Sequence, residues 1–463
     1  MRLIVKARVA PWLAMSIVVA LSACAVQQPP ETTELLTEAL PESTEVRADW
    51  QAADSDTGAV DDAWVASFND PILNALVAEA LQNNRNLQAA SAQVDRSAAL
   101  ARLAGSQLKP TVAFAGDVAQ LGGNDVVSGM SDWSGGVAMS WEADVWGRVR
   151  ARTQAAEEGL AASQADYNFA RQSMAAAISK AWFLASETAM TVELTEEAVA
   201  LFSELASLVR IKQEVGQVTM QSVYLADADV ASAEEALRQA RSGHQQVLRS
   251  LEVLLGRYPA ADIEAAREQL PVPPPTPAGI PMQILERRPD LLAAERRVRA
   301  AFLLSEEAEL AKLPSFSLTA TAGASSDLDD FVASLGAGIF APLYTGGALE
   351  AQVEVANADQ KAAIALYGQA VLTAFGEVEN ALTNESLNGE RERFLESVVE
   401  NNEGALDIAN AQLAEGAIDT LSVLQIQARV IGARAGLIRI RGERLAQRVN
   451  LHLALGGSFG PQK

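Results

Sequence analysis

The 463-residue sequence predicts a mostly α-helical chain with a small membrane-crossing β component, built from an internal tandem repeat. Three observations carry that prediction. One outline of residues returns after about 200 positions. Two proline-free stretches, 111–258 and 343–460, are rich in Ala, Leu, Glu, Gln and Arg, which favour helix. Each stretch begins at or beside a pair of short runs in which apolar and small polar residues alternate.

The repeat is explicit. Gly216 is followed by Ser222, Val223, Ala228 and Val230, and the arm ends at Leu255-Gly256. Gly416, Ser422, Val423, Ala428, Val430 and Leu455-Gly456 answer them. Earlier in each copy the offset is close to 204: Leu81, Leu87, Ala89, Ala90 and Pro110 answer to Leu285, Leu291, Ala293, Ala294 and Pro314. A period this long exceeds that of solenoid repeats and marks a duplicated supersecondary unit.

The elements follow in order. Residues 1–23 read as a signal: Arg2, Lys6 and Arg8 precede a short apolar run, Val9 to Leu21. Leu21-Ser22-Ala23-Cys24 fits a bacterial lipobox, which makes Cys24, the only cysteine, the lipidation site, with acyl chains such as palmitate; a plain secretory signal is the other reading. Residues 24–62 are polar and acidic and are expected to form an extended tether, with order beginning near Trp64. The first repeat spans 63–270, with a hairpin at 111–141; a Pro-rich linker fills 271–281; the second repeat spans 282–458, with a hairpin at 315–341. Asp70-Pro71 is a helix start. Long helices are expected over 148–213 and 349–413, each about 100 Å at 1.5 Å per residue, and returning helices over 219–255 and 419–455. Gly216 and Gly416 turn each rod back.

The alternating runs are 111–119, 133–141, 315–322 and 331–340. Each has about the length a tilted strand needs to cross an outer membrane. A small soluble sheet capping a helical bundle fits the alternation equally well. If the strands do enter lipid, one chain owns too few: an open edge cannot face hydrocarbon, and the smallest bacterial barrels use eight strands. Three chains would pool twelve. Trp133 and Trp141 suit the interfacial girdles of such a barrel, or ordinary packing.

Composition excludes other classes. A formal charge of −23 argues against nucleic acid. Only His244 and His452 occur, with no metal-ligand cluster, phosphate-binding loop or Gly-x-Ser-x-Gly elbow, so no enzyme activity, metal or cofactor is expected.

Several motifs in one order resemble the outer-membrane efflux channel family, TolC-like, in its lipoprotein branch. They are Trp64, Phe68, Asp70-Pro71, Leu73, Leu76, Ala80-Leu81, Asn84 and Leu87; Glu142-Ala143-Asp144-Val145-Trp146-Gly147-Arg148; Arg288-Pro289-Asp290 with Ala294-Glu295; Pro342-Leu343-Tyr344 with Gly346-Gly347; and Leu453-Ala454-Leu455-Gly456-Gly457. The resemblance runs from about residue 60 to 458. It implies a homotrimer with a twelve-stranded outer-membrane β-barrel continuous with a twelve-helix periplasmic α-barrel. It further implies a passive conduit that docks with a periplasmic adaptor (membrane fusion) protein and an inner-membrane pump of the RND type, exporting drugs or other small toxic compounds. Gly216 and Gly416 would mark the periplasmic tips. Leu421 matches the family's hydrophobic gate position, Gln425 stands where an acidic ring is usual, and Asp419 is a nearby source of charge; Leu421 also fits simple helix packing. A protein-secretion duct and a structural lipoprotein spanning the periplasm are the alternatives.

Overall fold

The computed structural model describes residues 29–41, 43–44, 46–52, 60, 62–120, 131–265, 270–273, 277–325 and 331–458. Cys24 and the signal, and the hairpin connectors 121–130 and 326–330, lie outside the described residues. The chain divides into two compact units. Unit 1 comprises residues up to 44 with 92–166 and 290–370; unit 2 comprises 45–91, 167–289 and 371 onward.

In unit 1, ordered structure begins earlier than the expected Trp64. Helix α1 (Thr32–Ala39) buries Leu35 and Leu36. Thr32 Oγ1 donates to Glu295 Oε1 at 3.1 Å. The carbonyl of Ala39 lies so close to Gly368 that a Cβ there would sit 2.2 Å from it. The polar composition of this stretch hides a short amphipathic turn whose few leucines suffice to dock it. The unit also holds most of α4 (Arg85–Ser106), all but the first residue of α8 (Pro289–Leu310), and the first parts of α5 (Arg148–Glu214) and α9 (Ala348–Ala414). Its sheet has four antiparallel strands in chain order: β1 (Thr111–Gln120), β2 (Ser131–Ala143), β3 (Ser315–Ser325) and β4 (Val332–Phe340). Each hairpin pairs within itself, and β2 pairs with β3 to join the two.

Unit 2 contains the main core. Trp50, 6% exposed, stacks edge-on against Phe375 and donates its indole N–H to the Ala278 carbonyl. The Glu379 carboxylate accepts from Gln51 N and Ala52 N, both at 2.8 Å. Helix α2 (Trp64–Ser67) leads into α3 (Pro71–Asn83). Asp70 Oδ1 caps α3, accepting from Ile72 N and Leu73 N, which satisfies donors a helix start leaves open. Its Oδ2 accepts the buried indole N–H of Trp182 at 2.6 Å. Trp64, Phe68, Leu73, Trp182, Phe183 and Leu251 form one apolar cluster around this point.

The long helices α5 and α9 are each 67 residues, ending one residue beyond the expected positions. The returning helices are α6 (Met220–Leu255) and α10 (Thr420–Ala454). Their ends meet the chain in equivalent ways. Gly256, at φ +78°, approaches the Asn83 carbonyl so closely that a Cβ would lie 2.9 Å from it; Gly456, at φ +70°, does the same to Arg287. Asn84 Nδ2 donates to Leu254 O at 2.8 Å, and Arg288 Nη1 donates to Ala454 O at 3.3 Å. Between them lies the short helix α7 (Gln283–Arg287).

Candidate functional site

Two features of the fold stand out, one in each unit. The first is the sheet of unit 1. Residues opposite one another in an antiparallel ladder share a face, so the register sorts every side chain. Val112 opposes Met139, Phe114 opposes Val137, Trp141 opposes Leu318, Phe316 opposes Ile339, and Ala320 opposes Leu335. One face is therefore mostly apolar, with Gly116 opposite Gly135 near its middle. The other carries Ala115, Asp117, Ser134, Ser140, Ser317, Thr319 and Thr321, with Val332 and Phe340 on β4. The apolar face is not covered within the chain: Phe114 is 75% exposed, Leu335 82% and Ile339 71%. Alternation alone was legible in the sequence; that four separate runs align their apolar rows on one face is a matter of register. Among the described residues, β1 and β4 each pair along one edge only. A water-soluble sheet buries its apolar face on a core; here much of that face is open within the chain.

Where β2 meets α5 the chain is braced by charge. Arg148 Nη2 donates to both Glu142 carboxylate oxygens at 2.9 Å, and its Nη1 reaches Glu307 of α8 at 3.5 Å. Arg152 also pairs with Glu307. Asp144 caps α5, accepting from Val149 N and Arg150 N, and pairs with the Arg150 guanidinium. Gly147 makes the bend at φ +91°. Trp146 donates its indole N–H to Pro314 O at 2.7 Å and packs on Phe316, and Trp141 donates to Leu108 O. Trp133 is half exposed. Asp144 as a cap is a role the sequence reading did not assign, although an Asp four residues before a helix start is a usable signal.

The second feature is the pair of helix turns in unit 2. Gly216 and Gly416 adopt φ +75° and +72°. Gln217 N donates to Lys212 O and Ala417 N to Gln412 O, both at 2.8 Å, the six-to-one bond of a Schellman turn. The two turns differ in charge. Asp419 caps α10, with Oδ1 accepting from Ser422 N and Ser422 Oγ, and its Oδ2 accepts from Lys212 Nζ at 2.6 Å. Lys212 belongs to the other turn, so this pair ties the two together. The Lys212 bond first, then those from Ser422, hold the Asp419 carboxyl well below the usual carboxylate range. Leu421 is half-buried and Gln425 is exposed.

Behind the turns, α9 and α10 are laced by charge. Arg434 pairs with Glu403, Arg441 with Glu396 and Glu392, Arg444 with Glu392 and Glu385, and Arg448 with Glu385. In α5 and α6 the matching positions hold Ala185, Val192, His244 and Leu248, and Arg241 with Glu196 is the equivalent pair. The sequence reading did not single out this lacing, because partners some 50 residues apart come into register only when the helices lie side by side.

Both histidines lie in unit 2. His452 is buried against the Trp64 ring at 5.4 Å, and burial, with Arg448 nearby, pushes its pKa down to about 3. His244 Nδ1 lies 2.9 Å from Thr188 Oγ1. Among the described residues there is no group of His, Cys, Asp and Glu placed to hold a metal, and no helix long and apolar enough to cross a membrane.

The sequence profile of a family described as outer membrane efflux protein matches residues 76–257 and 280–457. The probable efflux pump outer membrane protein TtgC of Pseudomonas putida strain KT2440 is 30% identical over 428 residues, 88% of this chain and 87% of that protein. The pyoverdine export outer membrane protein OpmQ of Pseudomonas aeruginosa is 28% identical over 414 residues, 86% of this chain and 87% of the relative. Among solved structures, the outer-membrane channel OprN superposes with a TM-score of 0.82 at 24% identity, covering 94% of this chain and 100% of that one. That likeness shows a shared fold.

Proposed function

The chain belongs to the outer membrane efflux protein family, and from that premise we propose that it is one subunit of a homotrimeric, lipid-anchored duct. It is the outer-membrane component of an efflux system, a transport part rather than an enzyme. In our reading three four-stranded sheets close into one twelve-stranded barrel, with the apolar face on lipid and the small polar face on water. The long and returning helices of three chains pool into a twelve-helix periplasmic tunnel.

The observation that carries this reading is the sheet: one face mostly apolar and largely open, with β1 and β4 each paired along one edge only. Hydrocarbon offers no hydrogen bonds, so their other edges need partners, and further copies of the same sheet supply them. The matched contacts of Asn84 with Leu254 and Arg288 with Ala454 support two tandem copies, 63–270 and 282–458, joined by the linker 271–281. A spacer rod would leave the segregated sheet without a role.

The finer assignments are part of the same proposal. The signal is removed and Cys24 is acylated, which tethers the chain through 24–62 to the outer membrane; more than one acyl chain anchors stably. Gly216 and Gly416 form the periplasmic tips. The second tip closes the resting duct with Leu421 as its apolar ring, and Asp419 and Gln425 flank it. A periplasmic adaptor and an inner-membrane pump, of RND type, deliver drugs or other small toxic organic compounds.

The test is purification in detergent followed by mass measurement and planar-bilayer recording. A trimer that conducts supports the proposal. A monomer without conductance sinks it. Cysteines placed at Asn124 or Asp329, in the connectors, should react with an impermeant reagent on intact cells.

A further inference from the structure

We propose that Asp117 sets the charge selectivity of the conduit, making it favour cations, an inference that rests on the barrel reading above. Register puts Asp117 on the polar face of β1, opposite Ser134. That face is made mostly of small neutral residues, such as Ala138, Ser140, Thr319 and Thr321, with Val332 and Phe340 on β4. No lysine or arginine occurs from Pro110 to Gly147 or from Leu313 to Gln360, so no strand offers a counter-charge.

The acid Glu142 falls on the same face of the sheet. Glu142 is gripped by Arg148 through both carboxylate oxygens, so its charge is compensated where it stands. Asp132 opposes Ala119, one step nearer the connector. Asp117 is bordered by a hollow of about 360 Å³ lined by Ser134, Gly136, Ala138, Thr321 and Gly323. The glycines there are required: a Cβ on Gly323 would lie 2.7 Å from Gly135 O, and one on Gly136 would lie 2.9 Å from Ala322 O. The wall beside Asp117 therefore stays low, and its carboxylate faces open water. The helix tip contrasts with this. Asp419 is already engaged by Lys212, and Gln425 is neutral. Asp117 instead stands on strands that carry no base.

Three copies would form a ring. Three unit charges about 10 Å from the axis, at about 0.1 M salt, favour cations over anions by a factor on the order of five. The experiment is a reversal-potential measurement on the full trimer across a tenfold KCl gradient. Wild type is expected to be cation-selective, Asp117→Glu to stay so, Asp117→Asn to move toward zero potential, and Asp117→Lys to reverse the sign. Each variant is first checked for trimer formation on a native gel, and Asp117→Glu guards against a folding artefact. A non-selective or anion-selective wild type would overturn the inference. So would an Asp117→Asn channel with wild-type reversal potential, including the case in which Asp132→Asn alone abolishes selectivity. Absence of any conductance from an intact trimer is a different result: it removes the barrel reading itself.

Discussion

Glu187 makes a pH-dependent prediction that the structure quantifies. Its side chain on α5 lies over the bare Cα of Gly442 on α10, where an added Cβ would fall 2.0 Å from Glu187 Oε2. Burial first, and Glu443 second, push the Glu187 carboxyl up from the ordinary 4.5 to about 7, with Arg439 pulling the other way. Arg391 on α9 holds Glu443 at 3.0 Å, and on α6 the nearby His244 is engaged by Thr188. The sign follows from linkage. Below about pH 4.5 both folded and unfolded chains hold the proton and the site is neutral to stability. Between there and about pH 7 the unfolded chain ionises while the folded one does not, so stability falls as pH rises, and the full cost is present above 7. At about 1.4 kcal/mol per unit the shift corresponds to roughly 3 kcal/mol, and partial exposure of the group reduces that to about 2 kcal/mol per subunit. Glu187→Gln removes the titration. The assay is thermal unfolding of the detergent-solubilised protein at pH 4, 6 and 8, with the variant compared with wild type at each. Their difference should be near zero at pH 4 and should grow to about 2 °C in the variant's favour at pH 8. A difference that does not change with pH would refute the reasoning.

Other perturbations have definite outcomes. Asp70→Ala removes the α3 cap, worth about 1 kcal/mol, and strands the buried Trp182 indole N–H, worth about 1–3 kcal/mol, so denaturant unfolding should show a loss of about 2–4 kcal/mol. Asp70→Asn, which keeps a capping oxygen, should lose less. Gly323→Val drives a side chain into the Gly135 backbone and should abolish assembled trimer on native gels, whereas Gly336→Ala, which meets only Thr319 Oγ1 at 3.0 Å, should be tolerated. Lys212→Ala frees the Asp419 carboxylate of an exposed ion pair worth at most about 1 kcal/mol, and should raise single-channel open probability by no more than about fivefold. No change in open probability would mean that this pair does not restrain the tips.

Much of the fold was legible because long helices announce themselves. Absence of proline over more than a hundred residues, helix-forming composition and a glycine at each turn located α5, α6, α9 and α10 to within about one residue, since these signals are local and repeat along the chain. Asp70-Pro71 was readable for the same reason: capping acts within a single turn. The N-terminal stretch was not. Leu35, Leu36 and Trp50 give too weak a pattern, and what orders them is a glycine notch at Gly368, a ring at Phe375 and a carboxylate at Glu379, all more than 300 residues away.

Sequence by itself determined the periods. It set which residues alternate, where rods break, that one outline occurs twice, and that the strands carry acid and no base. Tertiary structure alone decided the registers: which face Asp117 shares, that Arg148 cancels Glu142, that Lys212 reaches Asp419, and that Glu187 rests on Gly442. Helix and strand periods arise from backbone bonds a few residues apart, whereas a shared face or an ion pair depends on how segments hundreds of residues apart slide past each other, and a shift of one residue would send each of these side chains elsewhere.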